Sequence, residues 1–173
     1  MKASVFIATS LDGFIARENG GLDWLPADGG EPHGYVEFMA TVDALVMGRK
    51  TFETVLTFGS WPFEKPVIVL TSRPSELTAP PGALCEMMDG TPQEIVDRLA
   101  KRGMKHLYID GGDTIRRFLE AGLIQRVTIT RIPVLLGSGI PLFGPLMRDI
   151  RLEHVATRAY PSGMVQSEYT IAA

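Results

Sequence analysis

The sequence predicts an α/β protein: a mixed sheet, parallel first, flanked by helices and closed by an antiparallel hairpin. Three observations carry that prediction. Short apolar runs at Ala3–Ala8, Ala44–Met47, Val67–Leu70 and His106–Ile109 lack polar alternation, as strands covered on both faces do. Segments with helical spacing separate most of them. The last third then changes character, with Val127 and Ile129 set against Thr128 and Thr130.

The elements follow in order. Tyr35, Phe38, Met39 and Val42 recur at helical spacing before the second apolar run, and Phe52, Val55 and Leu56 after it. Thr91-Pro92-Gln93-Glu94 has the form of a capping box with proline at the first helical position, leading into Ile95, Val96 and Leu99. Ile115, Phe118 and Leu119 mark a further helix, stopped by Gly122. Arg151–Tyr160 and Met164–Ile171 flank Pro161-Ser162-Gly163, a hairpin turn. The stretch from Arg17 to Gly34 is rich in Gly, Pro and Asp and reads as a long loop, a feature more often functional than idle. All 173 residues are read as one domain, 1–173.

Composition narrows the function classes. A net charge of −3 and the lack of any basic stretch argue against nucleic acid or an anionic membrane as partner. Cys85 is the only cysteine and the three histidines are scattered, so no metal site is expected. No stretch has the length to span a bilayer, and the short run Val5–Ala8 fits a strand better than a signal segment. The cytoplasm is the expected compartment. A homodimer would cover the terminal hairpin and the sheet edge.

In open α/β sheets ligands bind at the carboxyl ends of strands. Three such junctions carry suitable chemistry. Met47-Gly48-Arg49-Lys50-Thr51 offers glycine, a helix N-terminus, basic side chains and a hydroxyl. Ile109-Asp110-Gly111-Gly112-Asp113-Thr114 spends two glycines where a tight turn capped by Asp113 needs one, which suits a pyrophosphate lying on bare backbone. Leu70-Thr71-Ser72-Arg73 places hydroxyls and a guanidinium where the 2′-phosphate of NADP could be clamped. An ordinary exposed turn is the competing account of the first and third junctions; three junctions together mean more than any one. The arrangement is neither GxGxxG nor a P-loop.

With those residues in view the chain resembles the dihydrofolate reductase superfamily, in the branch shared with the RibD C-terminal domain of riboflavin biosynthesis. The resemblance rests on Ser10-Leu11-Asp12-Gly13-Phe14-Ile15-Ala16, Met47–Glu53, Val69–Arg73, Asp110-Gly111-Gly112 and Leu135–Phe143, in order along nearly the whole chain. It implies a dihydrofolate-reductase-like three-layer fold, with an eight-stranded mixed sheet and about four helices. It also implies NADPH as cofactor and a small heterocycle as substrate, a pterin or a ribosylaminopyrimidine.

Carried over by position, Gly48, Arg49, Lys50 and Thr51 would meet the cofactor's phosphates. Thr71, Ser72 and Arg73 would favour the 2′-phosphate. Gly111 and Gly112, with Asp113 and Thr114 at the same junction, would approach the pyrophosphate and nicotinamide, and Ala8 and Thr9 would lie beside the nicotinamide. Leu22–Pro26, with Trp24, resembles the loop that closes over that ring. Tyr35, Phe38 and Gly139 are the remaining candidates for contact with substrate, although aromatic residues at helical spacing are usually core.

One departure stands out. Dihydrofolate reductases carry a carboxylate on the first helix, facing the substrate. Here the face of Tyr35, Phe38 and Val42 has none, and Glu37 points roughly 200° away. Asp12 and Glu31 are the candidate proton donors in its place. A nucleotide-binding sensor that kept the cofactor site without turnover is the alternative.

Overall fold

Nine residues at the start of the chain, Lys2–Ser10 (β1), form the strand on which the sheet is built. In the computed structural model, which describes residues 1–27 and 30–172, β1 lies between two parallel neighbours, His106–Asp110 (β6) and Arg126–Ile132 (β7). Outward from β6 come Ala44–Gly48 (β3), Val67–Leu70 (β4) and Cys85–Met88 (β5), all parallel. Outward from β7 come Val165–Ile171 (β10) and Leu152–Ala159 (β9), both antiparallel. The order β5-β4-β3-β6-β1-β7-β10-β9 is the mixed, first-parallel sheet that the sequence predicts, with the eight strands that the family resemblance implies.

Why the apolar runs are continuous is now plain. Along β3, Ala44 and Val46 face one cluster while Leu45 and Met47 face the other. The first cluster takes in Ile95 and Leu99 of helix Pro92–Lys101 (α3) with Ile115 and Phe118 of helix Gly112–Glu120 (α4). The second takes in Phe52 and Val55 of helix Arg49–Leu56 (α2), with Tyr35 and Phe38 of the short helix Tyr35–Thr41 (α1) packed against it. A strand with helices on both sides has no solvent face to mark with polar residues.

The capping box is present as read. Thr91 Oγ1 accepts from the Glu94 amide at 3.3 Å, and the Glu94 carboxylate accepts from the Thr91 amide at 2.8 Å. The hairpin turns through Gly163 at φ 89°, with its amide bonded to the Tyr160 carbonyl. Two features differ from the sequence reading. Phe14–Ala16 (β2) and Ile140–Pro141 (β8) form a separate two-stranded sheet, too short to leave a periodic signal. In β7, Thr128 and Thr130 are as buried as Val127 and Ile129, because Thr130 lies under Gln166 and the loop before α1.

The exposed strand β9 forms one edge, and a register shift opposite Glu168 and Tyr169 interrupts its pairing with β10. Such a bulge is one way of blunting an open edge. Among the described residues, no helix is long and apolar enough to cross a membrane, and no group of three or more His, Cys, Asp or Glu is placed to hold a metal.

Candidate active site

The carboxyl ends of β3, β4 and β6 open into one cavity of about 950 Å³. Strand β3 runs without a break into α2 at Gly48, and a Cβ there would meet Thr114 Oγ1 at 3.0 Å. Strand β6 turns into α4 through Gly111, at φ 88°, where a Cβ would also sit 2.3 Å from Thr51 Oγ1. At Gly112 a Cβ would meet the Pro141 carbonyl at 3.0 Å. Gly111 is thus required by packing, Gly112 is tightly packed, and both line the cavity.

Neither α2 nor α4 has a side-chain cap, so the first amides of two helices are left unpaired by any capping side chain at the wall of this cavity. Unpaired amides at a helix start, reinforced by the helix dipole, suit an anion. Lys50 and Arg117 line the same wall and, among the described residues, neither is ion-paired.

The third junction adds Thr71, Ser72 and Arg73. Thr71 Oγ1 accepts from the Arg73 amide at 3.1 Å and shapes the turn. Arg73 lies 3.2 Å from Glu76, and Arg49 lies 2.8 Å from both Glu53 and Glu76. One carboxylate therefore holds two guanidinium groups together, and a phosphate arriving there competes with Glu76. Asp89 and Gly90, which follow β5, complete this end of the cavity. The sequence reading missed them because they precede the capping box and pass for part of its turn.

A smaller cavity, about 250 Å³, adjoins the first; Ile7, Ala8, Leu25, Tyr35 and Tyr108 line both. Several expected residues lie off these walls. Thr9 is buried on the face of β1 opposite Ala8. Trp24 is half-buried with its indole nitrogen unpartnered among the described residues, while its neighbours Leu22 and Leu25 reach the cavity. Phe38 sits behind the wall, stacked on Phe6 at 5.0 Å and edge-on to Tyr108 at 5.1 Å. Gly139 lets β8 approach β2, since a Cβ would fall 2.4 Å from the Ala16 carbonyl; it is Ile140 that lines the cavity.

The two expected acids also lie elsewhere. Asp12 accepts from Ser10 Oγ at 2.6 Å and from the amides of Leu136 and Gly137, clasping that loop to β1. The Ser10 hydroxyl, followed by those amides, holds its carboxyl below the usual range, so it is ionised and a poor donor near neutrality. Glu31 accepts from the amide and the hydroxyl of Ser162, tying the long loop to the β9–β10 turn.

Three acids line the larger cavity, Asp89, Asp110 and Asp113; of these Asp110, the last residue of β6, is the one set among buried tyrosines, and the sequence alone assigns it no role. It accepts from the Gly111 amide at 2.9 Å, and burial pushes its carboxyl up to about 6. The hydroxyls of Tyr35 and Tyr108 are raised by burial first and by the Asp110 charge second. Tyr108 donates to the Phe6 carbonyl at 2.7 Å, whereas Tyr35 Oη has no hydrogen-bond partner among the described residues.

The folded chain binds the Asp110 proton more tightly than an unfolded one, for which the carboxyl value is 3.8. Stability is therefore lost as pH rises from about 4 to about 6, with a ceiling of about 3 kcal/mol at roughly 1.4 kcal/mol per pKa unit. Urea denaturation of Asp110→Asn should show a variant more stable than the parent at pH 8 and close to it at pH 4. Equal destabilisation at both values contradicts the assignment.

Comparison with known proteins agrees with the fold. The chain is 34% identical over 163 residues to the uncharacterized protein YwjB of Bacillus subtilis, covering 92% of each. It superposes on a putative riboflavin biosynthesis protein from Shewanella sp. PV-4 with a TM-score of 0.89 and 39% identity, over the whole of both chains. A dihydrofolate reductase from Enterococcus faecalis complexed with NADP(H) shares the fold, with a TM-score of 0.71 at 22% identity over 99% of this chain and 97% of that one. Residues 2–166 match the model of the RibD C-terminal domain, and the chain belongs to that family.

Proposed function

We propose that the protein is an NADPH-dependent reductase of a small unsaturated heterocycle of the pterin or aminopyrimidine kind. The observation that carries this reading is the single cavity in which Gly48, Arg49, Arg73, Gly111 and Gly112 share one wall system, with a second, apolar cavity against it. Its volume of about 950 Å³ lies at the upper end of the roughly 300–1,000 Å³ common for small-ligand sites. Membership of the family and the likeness to a riboflavin biosynthesis protein support the same conclusion.

The residues divide the work. Amides at the starts of α2 and α4, with Lys50 and Arg117, would hold the pyrophosphate. Arg73, with Ser72, would take the 2′-phosphate after exchanging Glu76 for it. When bound, the dinucleotide supplies the hydride. Ala8, the smallest side chain shared by the two cavities, leaves room for two flat rings to meet, and the surrounding apolar walls exclude water. Asp110 is suited to hand over the accompanying proton, directly or through the Tyr35 hydroxyl. Its elevated value keeps part of the population protonated near neutrality. It thus fills the role of the acid missing from α1.

Three measurements test this. Fluorescence titration should show NADPH binding more tightly than NADH. Arg73→Ala should weaken NADPH about 10- to 100-fold with NADH little changed, as expected when a hydrogen bond to a charged group, worth roughly 1.5–3 kcal/mol, is lost. No binding of either dinucleotide rejects the reading; equal binding rejects the role of Arg73. Followed at 340 nm, kcat/KM should fall as pH rises through about 6. Asp110→Asn should remove that limb and lower kcat about 10²- to 10⁴-fold, the usual worth of a positioned acid. Retained activity in the variant contradicts Asp110 as donor, and dinucleotide binding without turnover of any ring favours the sensor.

A further inference from the structure

We infer that the substrate is a compact, flat, uncharged ring that carries no phosphate, so that this chain does not take the phosphoribosyl form of an aminopyrimidine. The inference rests on the reductase reading and narrows it. Its basis is the smaller cavity, about 250 Å³, below the range that accommodates drug-sized ligands.

The walls of that cavity are aromatic and aliphatic. Phe6 anchors them, with the rings of His33 and Tyr35 each 5.7 Å from its own, and Leu25 and Met164 close the sides. Among the described residues no lysine or arginine lines it. Most of its polar groups are already engaged. Tyr108 Oη donates to the Phe6 carbonyl, and Thr130 Oγ1 accepts from Gln166 Nε2 at 3.0 Å. His33 Nδ1 faces the Glu31 carbonyl at 2.9 Å and must carry the hydrogen there, since a carbonyl only accepts. In the neutral ring this leaves Nε2 as an acceptor, alongside the Tyr35 hydroxyl. Two such groups suit the ring edge of a neutral heterocycle.

Among the described residues a phosphate in this cavity meets no lysine or arginine, only the Tyr35 and Thr130 hydroxyls and the His33 ring. A buried dianion without cationic or multiple N–H partners is strongly disfavoured. The cations of the molecule's ligand face, Arg49, Lys50, Arg73 and Arg117, all line the larger cavity, where the dinucleotide's own phosphates claim them. Asp110, beside the two tyrosines shared by both cavities, adds repulsion when ionised. Size and charge therefore exclude the same class.

The test compares matched ligands on the intact protein with NADPH present: 5-amino-6-(5-phosphoribosylamino)uracil, the same compound without its phosphate, and 6-methyl-7,8-dihydropterin. Calorimetric binding is read separately from NADPH oxidation at 340 nm. The expected result is measurable binding of at least one uncharged ligand and at least ten-fold weaker binding of the phosphorylated one. Leu25→Arg, which places a cation at the cavity's loop side, should shrink that difference. Phosphorylated ligand binding as tightly as its uncharged partner overturns the inference, and so does an absence of binding by both uncharged ligands. Failure of the reductase reading has a different signature: no NADPH binding, or a ring that binds without oxidising NADPH.

Discussion

Everything at the site depends on how closely β6 can turn into α4. Gly111 adopts a backbone angle that side chains rarely tolerate, in a space already filled by Thr51, and Gly112 lies against the Pro141 carbonyl. A side chain at Gly111 would displace Thr51 and strain the backbone, and one at Gly112 would press on the Pro141 carbonyl. The same closeness brings the starts of two helices to one wall and leaves their amides without side-chain caps. Under the proposed function packing and ligand recognition become a single constraint: the turn that allows the helices to meet is also the turn that bares the backbone.

The second organising feature is electrostatic. The carboxylate that closes β6 sits among Tyr35 and Tyr108, held away from solvent, and resists ionisation. The fold gives up stability near neutrality to keep it there, as is common for groups with chemical work to do. Asp12 is the contrast. It is equally acidic by type, yet a hydroxyl and two amides satisfy it, and its task is to hold a loop. Environment rather than residue type separates the two. The cations are divided in the same way: Arg49, Lys50, Arg73 and Arg117 line the larger cavity, and among the described residues no lysine or arginine lines the smaller one.

Most of the architecture was legible because it leaves periodic or chemical marks. Runs buried on both faces, the Thr91–Glu94 box and the Pro161–Gly163 turn each have a local cause. The short pair β2 and β8 was not legible, since two or three residues carry no period. At the site, the three strand-end junctions were readable from glycine, hydroxyl and basic residues in sequence. The side-chain directions were not. Trp24, Phe38 and Gly139 are of the right type in the right region, but a loop's facing and a helix's rotation decide whether they reach the cavity, and they do not. Asp110 was hidden for the opposite reason: its importance comes from burial, which a single letter beside two glycines does not reveal.

The most direct test of the account is amide resonance mapping of the protein as NADPH is added. The amides of Gly48, Arg49, Gly111 and Gly112 should shift together, along one binding curve, with those of Ser72 and Arg73 moving far less when NADH replaces NADPH. Shifts confined to surfaces away from the ends of β3, β4 and β6, with these amides unmoved, would contradict it.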